Sequence, residues 1–212
     1  MADCNCPLDG ELESIPSADC PFNIKQIQKL AFVVFNNGNF DGTAGNDITL
    51  KADWDTRLTA GDLTKQVITP FVGGDITITA GEPITNGGGD NSTLGGITEV
   101  NGFNPSSFTA RWDSLTPAQE AAFKKLNCYD KIGLGVIFIN QDGDLFVEEL
   151  AANSYRNMKI ETYAFGDKNN QGFGTKDFNT MTFQLQEGWS ENLARIDASS
   201  LDFDALTDLV NP

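Results

Sequence analysis

The stretch S107-FTARWDSLTPAQEAAFKK-L126 holds a strand, a turn and a helix in twenty residues, and its reading decides the fold class. Phe108, Ala110 and Trp112 alternate with Thr109, Arg111 and Asp113, which is the period of a strand with one apolar face. Thr116, Pro117 and Gln119 then spell a helix start: a hydroxyl cap, proline at the first helical position and a glutamine placed to bond back to the cap. A helix is expected over 117–126, with Ala118, Ala122, Phe123 and Leu126 as its buried stripe and Glu120, Lys124 and Lys125 in water.

Downstream, KIGLGVIFI reads as a fully buried strand, NQDGD as a tight turn and LFVEEL as an antiparallel return. Two further strands are expected in MKIETYAFGD and DFNTMTFQLQEG, where Met181, Phe183 and Leu185 alternate with Thr182, Gln184 and Gln186. Upstream, IKQIQKLAFVVF carries apolar groups on both faces, so that strand is expected to be covered twice. Trp54 and Leu58, four apart, predict one face of a short helix. KQVITPFV and DITITAGEPIT read as two more strands, the first confined to an edge or bulge by Pro70. The class is therefore mainly β (α+β): an antiparallel β-sandwich or barrel-like domain with one flanking helix.

Residues 1–23 read as an extended arm, 24–190 as a single β-rich domain with a long loop at 72–97, and 191–212 as an acidic tail. Within the loop, NGGGDNSTLGG has the composition of a turn-rich segment that only a partner would order. On the tail, Leu201, Phe203, Leu206 and Leu209 form a stripe too small to fold alone, so it is expected to dock on its own domain or a neighbour. An echo between Trp54-Asp55-Thr56 and Trp112-Asp113-Ser114 is read as chance.

Of 212 residues, 40% are hydrophobic and 21% charged, which suits a chain with a real core rather than a disordered one. Fourteen basic against thirty acidic residues leave a net charge of −16, which argues against gripping nucleic acid by phosphate neutralisation. Two readings of that acidity stand: solubility alone, and a surface along which DNA slides without sticking. No apolar run approaches the length of a membrane span, and the start MADCNCPLDGELES lacks signal-peptide order, so synthesis in a cytoplasm is expected. On that ground Asn91-Ser92-Thr93 is discounted as a glycosylation acceptor.

With no histidine, Ser-His-Asp and Cys-His arrangements are excluded, and no phosphate loop or dinucleotide fingerprint is present. Cys4, Cys6, Cys20 and Cys128 suit either a four-thiolate zinc site or a reduced set of thiols; the single residue between Cys4 and Cys6 favours the latter. Asp167, Asn169, Gln171 and Gly172 match the first half of a calcium loop. Phe178 stands where the bidentate Glu belongs and Asp177 is one place early, so the expected loop is a polar turn and no metal or cofactor is assigned. A calcium-dependent binding module or carbohydrate-acting enzyme built on Asp167 and Asp177 is the alternative from a different class.

SFTARW, LTPAQ, LGVIFI, NQDGD and LFVEEL resemble in order and spacing the major tail tube proteins of tailed bacteriophages. CPFNIKQIQKLAFVVF and MTFQLQEGWSENL add a resemblance to virion proteins of phages with Bacteroides- or Flavobacterium-type hosts. The resemblance implies a non-enzymatic virion subunit, assembled in the host cytoplasm, whose β-sandwiches form rings stacked around the DNA path. Its partners would be further copies and other virion proteins, with no specific nucleic-acid or membrane binding. The long loop would reach a neighbouring ring, making Gly87, Gly88, Asn91 and Leu94, with Leu201, Phe203 and Leu206 of the tail, the expected assembly contacts. A capsid decoration protein is the alternative within the same particle.

Overall fold

In the computed structural model the described residues are 22–43, 45–74, 76–89, 93–129 and 132–212. They carry, in chain order, β1 Ile27–Val34, α1 Lys51–Leu58, β2 Val67–Ile68, β3 Thr77–Thr79, β4 Pro83–Asn86, β5 Glu99–Phe103, β6 Ser106–Asp113, α2 Pro117–Leu126, β7 Leu134–Asn140, β8 Leu145–Ala151, β9 Ser154–Arg156, β10 Met158–Phe165, β11 Phe178–Leu185 and β12 Leu193–Ile196. Every named pairing between them is antiparallel.

β1 and β7 form the axis. They pair along their length, with Leu30 opposite Phe138, Phe32 opposite Val136 and Val34 opposite Leu134. On its other side β7 parts into two halves: Phe138 and Ile139 pair with Phe146 and Leu145 of β8, whereas Leu134 and Val136 pair with Ile160 and Met158 of β10. From there one branch runs β10–β11–β6–β3 and the other carries β8, β9 and β12. The strands do not close into a barrel, and the arrangement is an antiparallel, sandwich-like one with a single main helix.

Side chains alternate across a strand, so an axis covered on both sides feeds two cores. Leu30, Phe32, Val136 and Phe138 enter the first, with Phe108, Trp112, Met181 and Phe183 from β6 and β11 and Phe123 from α2. Ala31, Ile137 and Ile139 enter the second, which is closed by Trp54 and Leu58 of α1, by Ile68 and by Ala205 and Leu209 of the C-terminal residues. The double coverage expected for β1 is thus found, and Trp54 and Leu58 share the buried face of α1.

α2 starts as its sequence predicts: Gln119 N–H donates to the Thr116 hydroxyl at 3.3 Å, and the Thr116 N–H donates to Gln119 Oε1 at 3.0 Å. Its stripe is narrower than expected. Phe123 is buried and Leu126 half-buried, but Ala118 and Ala122 are exposed, while Glu120 and Lys124, expected in water, are half-buried where they pair with each other.

The long loop expected at 72–97 contains β3 and β4, and β4 pairs with β5 to make a separate two-stranded hairpin. DITITAGEPIT is consequently two strands rather than one, broken at Gly81, where a side chain would fall inside the contact radius of the Asn104 carbonyl. KQVITPFV contributes only the two residues of β2, ending before Pro70. The two Trp-Asp pairs lie on unlike elements, one on α1 and one on β6, so they mark no structural repeat.

Candidate assembly surfaces

The loop between β10 and β11 scatters the calcium candidates. Asp167 pairs with Lys124 of α2 at 2.6 Å, and that contact holds its carboxyl below the usual carboxylate range. The backbone of Asn169 exchanges two hydrogen bonds with Phe178, at 2.7 and 3.0 Å, and Asp177 accepts from the Asn170 amide. Gln171 stays exposed. Asp167 and Asp177 are thus engaged by Lys124 and Asn170, and among the described residues no three His, Cys, Asp or Glu side chains converge as a metal site. Cys4, Cys6 and Cys20 lie outside the described residues, and Cys128 is exposed as a free thiol.

The β4–β5 hairpin gathers apolar surface in water, as isolated exposed side chains such as Phe173 elsewhere do not. Ile84, Leu94, Ile97, Val100 and Phe103 are all exposed, Leu94 at 93%. Toward its tip the two arms are joined by short-range bonds: the N–H groups of Gly88 and Gly89 both donate to the Gly96 carbonyl at 3.2 Å. Gly87, at φ +87°, lies so close to Ile97 and Thr93 that a side chain there would collide with both. At the base, Phe103 N–H donates to Glu187 Oε1 at 2.8 Å and Asn104 N–H to the Glu82 carbonyl at 2.9 Å. Of the expected contact residues in this region, Gly88 and Leu94 are exposed, Gly87 is half-buried and Asn91 lies outside the described residues.

The C-terminal residues sit on their own chain. Leu201, Phe203 and Leu206 are half-buried against the second core, Phe203 with its ring 6.2 Å from that of Trp54. The Asn211 side chain bonds both backbone groups of Ile68, at 2.9 and 2.6 Å, occupying the edge of β2 as a further strand would. Leu209 is fully buried and its carbonyl accepts from Lys29 Nζ at 3.2 Å.

No protein-family model matches the chain, and no curated protein sequence matches it. Solved structures that are similar in part include a chain of the virion of a native gene transfer agent particle, with 10% identity, 59% of this chain and 84% of that chain covered, and a TM-score of 0.30. A chain of the tail of an empty gene transfer agent particle with C6 symmetry follows at 10% identity, 57% and 77% coverage and a TM-score of 0.27. A chain of the anti-feeding prophage baseplate, 6-fold symmetrised, is covered to 98% against 87% of this chain, at 12% identity and a TM-score of 0.33. Values this low do not establish a common fold.

Sequence reading missed one apolar surface. Beside α2, Pro70, Phe71, Ala122, Leu126 and Val210 line a groove of about 410 Å³ with Lys29 in its wall. Lys29 is 4% exposed, its ammonium lies 4.6 Å from the centre of the Phe71 ring, and burial pushes it below its ordinary value while Asp204 opposes that shift. The signal available in the sequence was a lysine inside an apolar strand. Among the described residues, no helix is long and apolar enough to cross a membrane.

Proposed function

We propose that the chain is a non-enzymatic, self-associating structural subunit of a phage-type particle, of the tail tube kind. The observation that carries the self-association is the β4–β5 hairpin, whose five large apolar side chains are exposed and covered by none of the described residues. A two-stranded hairpin alone in water is marginally stable, and a contiguous exposed apolar patch is what an interaction surface presents. The resemblance of residues 105–150 to tail tube proteins supplies the particle type, and the net charge of −16 suits a channel that DNA traverses without binding.

Electron microscopy and mass photometry at rising protein concentration test the reading. Rings or stacked tubes are expected from the parent chain. Replacing residues 87–96 by a two-residue turn should leave circular dichroism and melting unchanged and abolish assembly; normal particles from that variant would refute the hairpin's role. A parent chain that stays monomeric or trimeric and binds only a preformed capsid lattice would instead be a decoration protein.

A further inference from the structure

Among the described residues, most of the large apolar side chains that are exposed gather in two places of different shape. The convex one is the hairpin. The concave one is the groove beside α2, which continues past Phe32, Val67 and Leu126 into a second chamber of about 290 Å³ bordered by Leu63 and Tyr129. Phe71 and Val210 on the first chamber, and Leu63 and Tyr129 on the second, are exposed although each stands beside apolar neighbours. The stretch 82–103 contains Glu82, Asp90 and Glu99 and no Lys or Arg. In the groove, Lys29 donates to a carbonyl and faces an aromatic ring, and no carboxylate of the described residues lies in ion-pair contact with it. Asp204 acts on Lys29 from beyond ion-pair distance and offsets only part of the cost of burying the cation, so a ligand that brings a carboxylate into contact lowers that cost further.

We propose that the groove between α2 and the β1–β2 edge is the receptor for the β4–β5 hairpin of a second copy, with the hairpin's apolar side chains along its floor and one of its carboxylates drawn to Lys29. This rests on the self-association reading and names the surface it uses. Both patches are exposed in the same molecule, so the hairpin does not fill its own groove. Contact between two different patches is heterologous, and heterologous contacts close into rings or propagate as stacks. Shape and charge also point the same way: an acidic, apolar projection meets an apolar hollow with a buried cation.

A photo-reactive benzoylphenylalanine at Leu94, in full-length protein assembled from an equal mixture of ¹⁴N- and ¹⁵N-labelled chains, tests this. Expected are mixed-isotope cross-links from the hairpin to the groove lining: Pro70 or Phe71 in tryptic peptide 66–111, most of α2 in 112–124, Leu126 in 126–131, or Val210 in 196–212. Assembly with cross-links elsewhere on the neighbour, to the chain's own groove or to residues 1–21 overturns the groove assignment and leaves self-association standing. A chain that stays monomeric at every concentration overturns both. In parallel, Ala122→Glu places a negative charge on an exposed, helix-compatible position of the groove, where it repels an acidic hairpin; it should raise the concentration needed for assembly about tenfold or more at unchanged melting. Assembly of that variant at the parent's concentration overturns the proposal.

Discussion

Lys29 and Trp54 show how single residues couple distant parts of this chain. Lys29 gives up its proton more readily folded than unfolded because burial disfavours its charge. Between its lowered folded value and the ordinary 10.5, the unfolded chain therefore binds more protons, and stability rises with pH through that window. In urea titrations from neutral pH upward, the stability of the parent relative to Lys29→Met should increase toward pH 10.5; a difference independent of pH would contradict the burial argument. Trp54 is fully buried, its indole N–H donates to the Ile48 carbonyl at 2.8 Å, and its ring lies 5.1 Å from Phe40. Trp54→Ala should cost about 3–5 kcal/mol in equilibrium unfolding, and a loss below about 1 kcal/mol would mean that the second core collapses into the space. The burial of Trp54 was legible from Leu58 four residues on. Its contact with Phe203 was not, because no periodicity links residues so far apart.

Among elements, α2 and the β4–β5 hairpin lie at opposite ends of legibility. The cap, the proline and the direction of α2 follow from interactions within four residues and are readable in Thr116-Pro117-Ala118-Gln119. Which alanines it buries depends on how far the helix tilts from the sheet, and alanine is indifferent to that choice. The hairpin hides in a Gly-rich stretch whose composition signals turns, and β5 has polar residues where a half-buried strand would alternate. What defines it is a close approach at Gly81, where the backbone of 81–82 lies against Asn104. Gly81→Ala must push these segments apart. Hydrogen exchange should then accelerate in residues 83–103 while β1, β6, β7 and β11 keep their protection, and assembly should weaken; unchanged exchange at 83–103 would show that the hairpin does not depend on this contact.

At the scale of the whole molecule, the C-terminal residues complete the second core rather than trail from it. Truncation after Leu201 removes Phe203, Ala205 and Leu209 from around Trp54 and Ile68, and strips the Asn211 amide from the β2 edge. It should lower unfolding free energy by at least about 3 kcal/mol and produce dye-binding apolar surface; a truncated chain with an unchanged denaturation midpoint would show that the tail only rests on the core. By itself the sequence determined what is encoded within a few residues: the alternation of β6 and β11, the two apolar faces of β1, the capping box, the NQDGD turn and the overall negative charge. These are local because backbone geometry sets side-chain period and hydrogen-bond reach. Only the tertiary structure decided that β7 divides its edge between β8 and β10, that Asn211 caps a strand 143 positions away, and that Lys29 sits in an apolar groove where its ammonium bonds the Leu209 carbonyl. Such contacts are selected by the burial they achieve jointly once the chain is compact, and that energy belongs to no short stretch of it.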